Sequence, residues 1–105
     1  MGLPVKQIHK TNVPAIASAL IALAANAGRF GWKLTNLGQN PLFYRLDNTL
    51  DCTTSVFHGV LAAGTANDNG TAGSYSEMSG AVWCGRVTVT GTAPRYCVTE
   101  YFDIQ

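Results

Sequence analysis

Two apolar runs that alternate in steps of two, with a turn sequence wedged between them, restrict this chain more than any other feature. Phe30, Trp32 and Leu34 alternate with Arg29, Gly31, Lys33 and Thr35, and Leu42, Tyr44 and Leu46 alternate with Phe43 and Arg45. A period of two marks a strand with one buried face. It places Arg29 in the set opposite Trp32. Between the runs lies Asn36-Leu37-Gly38-Gln39-Asn40-Pro41. Gly38 and Asn40 tolerate positive φ and Pro41 blocks helix, so the sequence predicts a tight hairpin.

The rest of the chain extends this pattern. Residues Gly2 to Asn12 read as an extended arm, with Pro4 excluding helix and Pro14 closing the section. Ala15 to Ala27 has helix-favouring composition, yet a charge-free helix would need burial nearly all round. An extended edge segment leading into the Arg29 strand is expected instead. Ser55 to Leu61 is expected as a third strand, and Ala62 to Gly80 as a surface loop with one short pairing and an Asn69-Gly70 turn. Ala81 to Thr90 and Arg95 to Phe102 read as strands joined by Gly91-Thr92-Ala93-Pro94, a second hairpin that brings Val87 and Val89 near Val98 and Tyr96. Several short strands with turns between them give an all-β fold, a small antiparallel β-sandwich or barrel with an extended N-terminal arm. The arm is residues 1–14 and the sandwich domain 15–105.

Charged residues make up only 12% of the 105 residues, against a usual share of about a quarter. So thinly charged a surface is poorly protected against association, and the composition fits coverage by neighbouring chains as well as it fits a plain neutral domain. The net charge of +1 and the scattering of Lys6, Lys10, Arg29, Lys33, Arg45, Arg86 and Arg95 leave no basic footprint, so no nucleic-acid partner is expected. The apolar run Val13 to Ala24 is too short and too alanine-rich for a membrane span. Ala25-Asn26-Ala27 behind it imitates a leader cleavage site, but the segment is expected to stay in the ordered protein. No membrane partner is expected.

Residues with chemical potential are few. Cys52, Cys84 and Cys97 are odd in number and lack zinc spacing. A bond between Cys84 and Cys97 is geometrically feasible, but reduced structural thiols are the expectation. His9 and His58 are the only histidines. A Cys52–His58 nucleophile pair lacks a visible third group. His58 is expected as a partly buried structural side chain. Asp47 and Asp51 suit turn formation better than cation binding, as do Asp68 and Asn69. Gly28-Arg29 is no phosphate loop. No catalytic, metal-binding or cofactor-binding residue is assigned and no cofactor is expected. The aromatic residues, by contrast, exceed what one thin core can hide, which points to a contact surface. Alternation sends Phe43 and Tyr101 outward. The interface candidates are Val5, Ile8, Val13 and Ile16 at the N-terminal side, with Phe43, Tyr101 and Phe102 from the strands. Carbohydrate stacking on such aromatics is the rival reading.

The order of motifs carries a resemblance. Ala25-Asn26-Ala27-Gly28-Arg29 precedes a strand, and Asn36-Leu37-Gly38-Gln39-Asn40-Pro41-Leu42 leads to Phe43-Tyr44-Arg45-Leu46. Val60-Leu61-Ala62-Ala63-Gly64 and Asn67-Asp68-Asn69-Gly70 follow. Gly85-Arg86-Val87-Thr88-Val89 and Pro94-Arg95-Tyr96-Cys97-Val98-Thr99-Glu100 close the series. From Asn26 to Glu100 this succession resembles small tailed-bacteriophage virion proteins of the head decoration, or cement, type. Asp47-Asn48, where similar proteins often carry Gly, and the apolar Ala15 to Ala24 run depart from the pattern. The resemblance implies a β-sandwich that performs no chemistry. It implies a location on the virion capsid surface after assembly in the host cytoplasm, with the phage major capsid protein as partner and a homo-oligomer, a trimer favoured. A carbohydrate- or receptor-binding module of a tail or fibre is the alternative.

Overall fold

The computed structural model describes residues 5–10, 20–64, 72–78 and 81–103. Eight strands run in chain order: β1 (Val5–Lys10), β2 (Leu20–Leu23), β3 (Arg29–Asn36), β4 (Leu42–Leu46), β5 (Gly59–Leu61), β6 (Ser74–Met78), β7 (Val87–Gly91) and β8 (Tyr96–Asp103). They form two four-stranded antiparallel sheets, ordered β1-β8-β3-β6 (sheet I) and β2-β7-β4-β5 (sheet II). No helix occurs among the described residues, so none there is long and apolar enough to cross a membrane. The all-β expectation holds.

The two sheets pack face to face. Leu42, Tyr44, Val87, Val89, Leu23 and Leu61 from sheet II meet Trp32, Leu34, Tyr96 and Val98 from sheet I in one buried cluster. Each such side chain contributes about 1.5–3 kcal/mol when fully buried. The alternation of Trp32 and Leu34, and of Leu42 and Tyr44, supplies this core.

Both expected hairpins are corrected. β3 belongs to sheet I and β4 to sheet II, and β7 and β8 are likewise split between the sheets. The two turns are therefore arches over the core. Asn36 explains the first. Its buried side chain donates through Nδ2 to the carbonyls of Asn40 (2.9 Å), Leu61 (3.3 Å) and Ala62 (3.1 Å), and its Oδ1 accepts from Gly38 N–H (2.9 Å). These bonds fix the turn from within, through Gly38 and Asn40, and anchor it to the carbonyls at the end of β5, so β3 and β4 need not pair with each other. The second arch lies beside it. Leu37 N–H donates to the Arg95 carbonyl (2.8 Å), Arg95 Nη1 donates to the Leu37 carbonyl (3.0 Å), and Asn40 Nδ2 donates to the Thr92 carbonyl (3.0 Å).

The far end of β3 carries a second polar clasp. The Arg29 side chain is wholly buried and pairs with Glu100. Its remaining donors reach the carbonyls of Trp83 (2.9 Å), Gly85 (2.9 Å) and Ala24 (2.6 Å). Simple alternation would set Arg29 opposite Trp32. A bulge corrects this: Arg29 faces Phe102 and Gly31 faces Tyr101, so two steps on β3 match one on β8. Phe30 is consequently exposed.

Three other expectations change in extent. The strand expected over Ala81 to Thr90 begins only at Val87, because the preceding carbonyls of Trp83 and Gly85 turn toward Arg29 and Trp83 N–H donates to Glu77. The strand expected over Ser55 to Leu61 is confined to Gly59–Leu61. The described part of the arm, Val5–Lys10, pairs along its whole length with β8 and is an edge strand of sheet I. Leu20–Leu23 is extended, as expected, at the edge of sheet II. The one pairing expected within Ala62 to Gly80 is β6 against β3. Val13, Ile16, Asp68 and the Asn69-Gly70 turn lie outside the described residues.

Candidate interaction surface

Residues 47–58, between β4 and β5, fold back across the outer face of sheet II. Asp47 starts the fold. Its Oδ1 accepts from the main-chain N–H groups of Thr49 (2.8 Å) and Leu50 (2.9 Å), the turn role read from the sequence. Those two N–H groups, Leu50 first, hold its carboxyl down at about 2. Its Oδ2 pairs with Arg45 at 3.1 Å, while Arg86 pairs with Asp51 at 3.1 Å. Cys52 N–H then donates to Thr88 Oγ1 (2.9 Å), which pins the segment to the outward side of β7 and buries Cys52.

Thr53 makes the next turn, its Oγ1 accepting from Ser55 N–H (3.2 Å) and Val56 N–H (2.8 Å). This turn is why the strand expected from Ser55 starts late. It also delivers Phe57 onto Phe43, edge to face, with ring centroids 4.9 Å apart. Val60 stands opposite Phe43 in register, and Ile21 lies on the same face, opposite Thr88. Leu50, Val56, Phe57, Val60 and Ile21 are 40% to 56% exposed, although all are large apolar residues. Half-buried Phe43, Phe57 and Val60 adjoin one another as an outward apolar surface on this side of the sandwich, with Ile21 further along the same face and Leu50 and Val56 on the covering segment. Arg45 and Arg86, which border it, each have a carboxylate partner, so charge is quenched at its margin.

The interface candidates separate. Phe43 lies in this surface. Tyr101 lies in register with Gly31 and Gln7 on the outer face of sheet I, the other side of the molecule. Phe102 falls in step with Tyr96, Val98 and Glu100, the core-facing set, and is half-buried near the strand end. Val5 and Ile8 stand opposite Asp103 and Glu100 on β1. The sequence pattern does not mark Leu50, Val56, Phe57, Val60 or Ile21 as interface residues. The one usable signal was Thr53 placed to cap a turn ahead of Val56 and Phe57.

The chemistry-bearing residues are engaged in local bonds. His58 is exposed rather than partly buried, and its Nδ1 accepts from Leu46 N–H at 2.8 Å. Burial pushes the Cys52 thiol up to about 11, against a smaller downward pull from Arg45, so the thiolate is scarce at neutral pH. No disulfide joins Cys52, Cys84 or Cys97. Glu77 spends both oxygens: Oε1 accepts from Trp32 Nε1 (2.8 Å) and Trp83 N–H (2.8 Å), and Oε2 from the Tyr75 hydroxyl (2.6 Å). Burial works to raise its pKa, but these three donors and Arg29 together hold it below the ordinary glutamate value. The bond to Glu77, then burial, pushes the Tyr75 phenol up to about 12. Among the described residues, no group of three or more His, Cys, Asp or Glu is arranged to hold a metal ion. No family model, curated protein or solved structure matches the chain.

Proposed function

We propose that this chain is a head decoration protein of a tailed bacteriophage, docking on the outside of the capsid where major capsid subunits meet. The outward apolar surface of Phe43, Phe57 and Val60 carries this reading. Large exposed apolar patches mark contact sites, and here one is mounted on a rigid sandwich with few charges. The motif order from Asn26 to Glu100 supplies the choice of partner. Binding strength comes from repetition: modest contacts, joined in a homo-oligomer with a trimer favoured and repeated over a lattice, add without any single strong one. The outer side of β1, at the edge of sheet I, suits strand addition to a neighbouring chain. The site of action is the virion surface, and the protein acts as a scaffold rather than an enzyme.

The test is co-sedimentation of the purified protein with expanded phage heads that lack it, together with its mass in solution. The expected result is an oligomer that binds saturably and is released by Phe43→Ser or Val60→Ser. A monomer that ignores the heads rejects the proposal. Glycan-array binding lost on substituting Phe43 or Phe57 would instead assign the surface to carbohydrate.

A further inference from the structure

The ladder between β4 and β5 is prolonged by a side chain. Its last strand pair is Tyr44 with Gly59. One step further, His58 N–H donates to the Tyr44 carbonyl (2.8 Å) and Leu46 N–H donates to His58 Nδ1 (2.8 Å). The imidazole nitrogen occupies the place that a strand carbonyl would take. We propose that His58 is a proton-operated latch holding the 47–58 segment against sheet II.

The reasoning is stereochemical. An imidazole nitrogen accepts a hydrogen bond only while it carries no proton. Protonation of Nδ1 sets two N–H groups against each other, and the bond to Leu46 is lost. The ring is exposed, so solvent protons reach it. Elements packed around it carry Tyr44 and Arg45 on β4, Asp47, Asp51 and Cys52 in the segment itself, and Arg86 ahead of β7. Guanidiniums, carboxylates, phenols and buried thiols keep their charge state in mild acid, whereas imidazole is the group that changes there. At the β5 end the other tie is the main-chain bond from His58 to the Tyr44 carbonyl, while the bonds from Cys52 to Thr88, from Arg45 to Asp51 and from Arg86 to Asp47, Asn48 and Asp51 lie further back in the segment. Loss of the Leu46 bond therefore halves the bonding at that end and weakens the hold of the stretch bearing Val56 and Phe57 on Phe43. The apolar surface is assembled at neutral pH and loosened in mild acid. This holds whatever partner docks there.

Amide exchange of the full chain, followed by NMR from ~pH 7.5 to ~pH 5 and corrected for intrinsic rates, reads the latch directly. Leu46 should lose roughly three- to tenfold in protection, the range carried by one net hydrogen bond, while the amides of β3 keep theirs. His58→Asn supplies an acceptor that does not titrate and should hold Leu46 protected at both ends of the range. His58→Phe should leave it unprotected at both. Unchanged Leu46 protection in wild type, or an equal loss in His58→Asn, overturns the proposal.

Discussion

The Nε–H of Arg29 donates to Oε2 of Glu100 across 2.7 Å, with the arginine side chain wholly removed from solvent. The pair ties the start of β3 to the middle of β8. Through the other guanidinium donors it also ties the carbonyls of Ala24, Trp83 and Gly85. Removing one partner leaves the other charged and buried. Arg29→Ala and Glu100→Ala should each cost about 3–5 kcal/mol. A joint Arg29→Met, Glu100→Leu variant should cost less than the two single losses combined. Urea unfolding midpoints of the three variants check this.

Asn36 is the counterpart at the other end of β3. Asn36→Ala strips the acceptor from Gly38 N–H and the donor from three carbonyls, and should cost about 2–3 kcal/mol. Asn36→Asp should be no better, since it presents a carboxylate to those same carbonyls. Thermal and urea unfolding of both variants give the comparison.

Ala93 holds φ at 46° in the second arch, a conformation that an L side chain resists. Glycine removes the clash but adds freedom to the unfolded chain. The first effect is the larger, so Ala93→Gly should stabilise by about 0.5–1 kcal/mol and raise Tm by a few degrees. An unchanged or lowered Tm contradicts this.

Asp47 gives a pH dependence with a definite sign. Its folded carboxyl titrates at about 2, below the value near 4 of an unfolded aspartate. Between these limits the unfolded chain binds more protons, so acid favours unfolding. The contribution is complete above about pH 4 and is lost as pH falls toward 2. Glu77, also held below its ordinary value, adds to the loss in the same direction. Asp47→Asn keeps an acceptor for the turn without the proton, so its stability should fall less than wild type between pH 5 and about pH 2.5.

Cys52 gives the opposite limb. With its thiol at about 11 in the fold and near 9 when unfolded, its contribution is complete below pH 9 and lost as pH rises through 11. Alkylation at neutral pH should modify half-buried Cys84 and Cys97 before Cys52, as read by peptide mapping.

Alternation made the strands and the core faces legible, because a period of two is written in single residues such as Trp32, Leu34, Leu42 and Tyr44. It could not say which strand pairs with which. A turn built of Gly, Asn and Pro serves an arch as readily as a hairpin, and the bonds that decide, those of Asn36 to Leu61 and Ala62, join residues far apart in sequence. Alternation sets Arg29 on the wrong side for a related reason. One bulged residue shifts the phase of a strand, and only the register with Phe102 and Tyr101 reveals it. The candidate surface was half visible. Phe43 followed from alternation, but Phe57 reaches it through a turn at Thr53, so no strand pattern marks the contact.

Among the described strands, only β4 and β5 are neighbours both in sequence and in a sheet. β1 instead finds its partner in β8. During translation the early strand must therefore wait, unpaired, until β8 has cleared the ribosome. Apart from the β4–β5 pair, assembly of both layers is governed by long loop closures rather than local zippering.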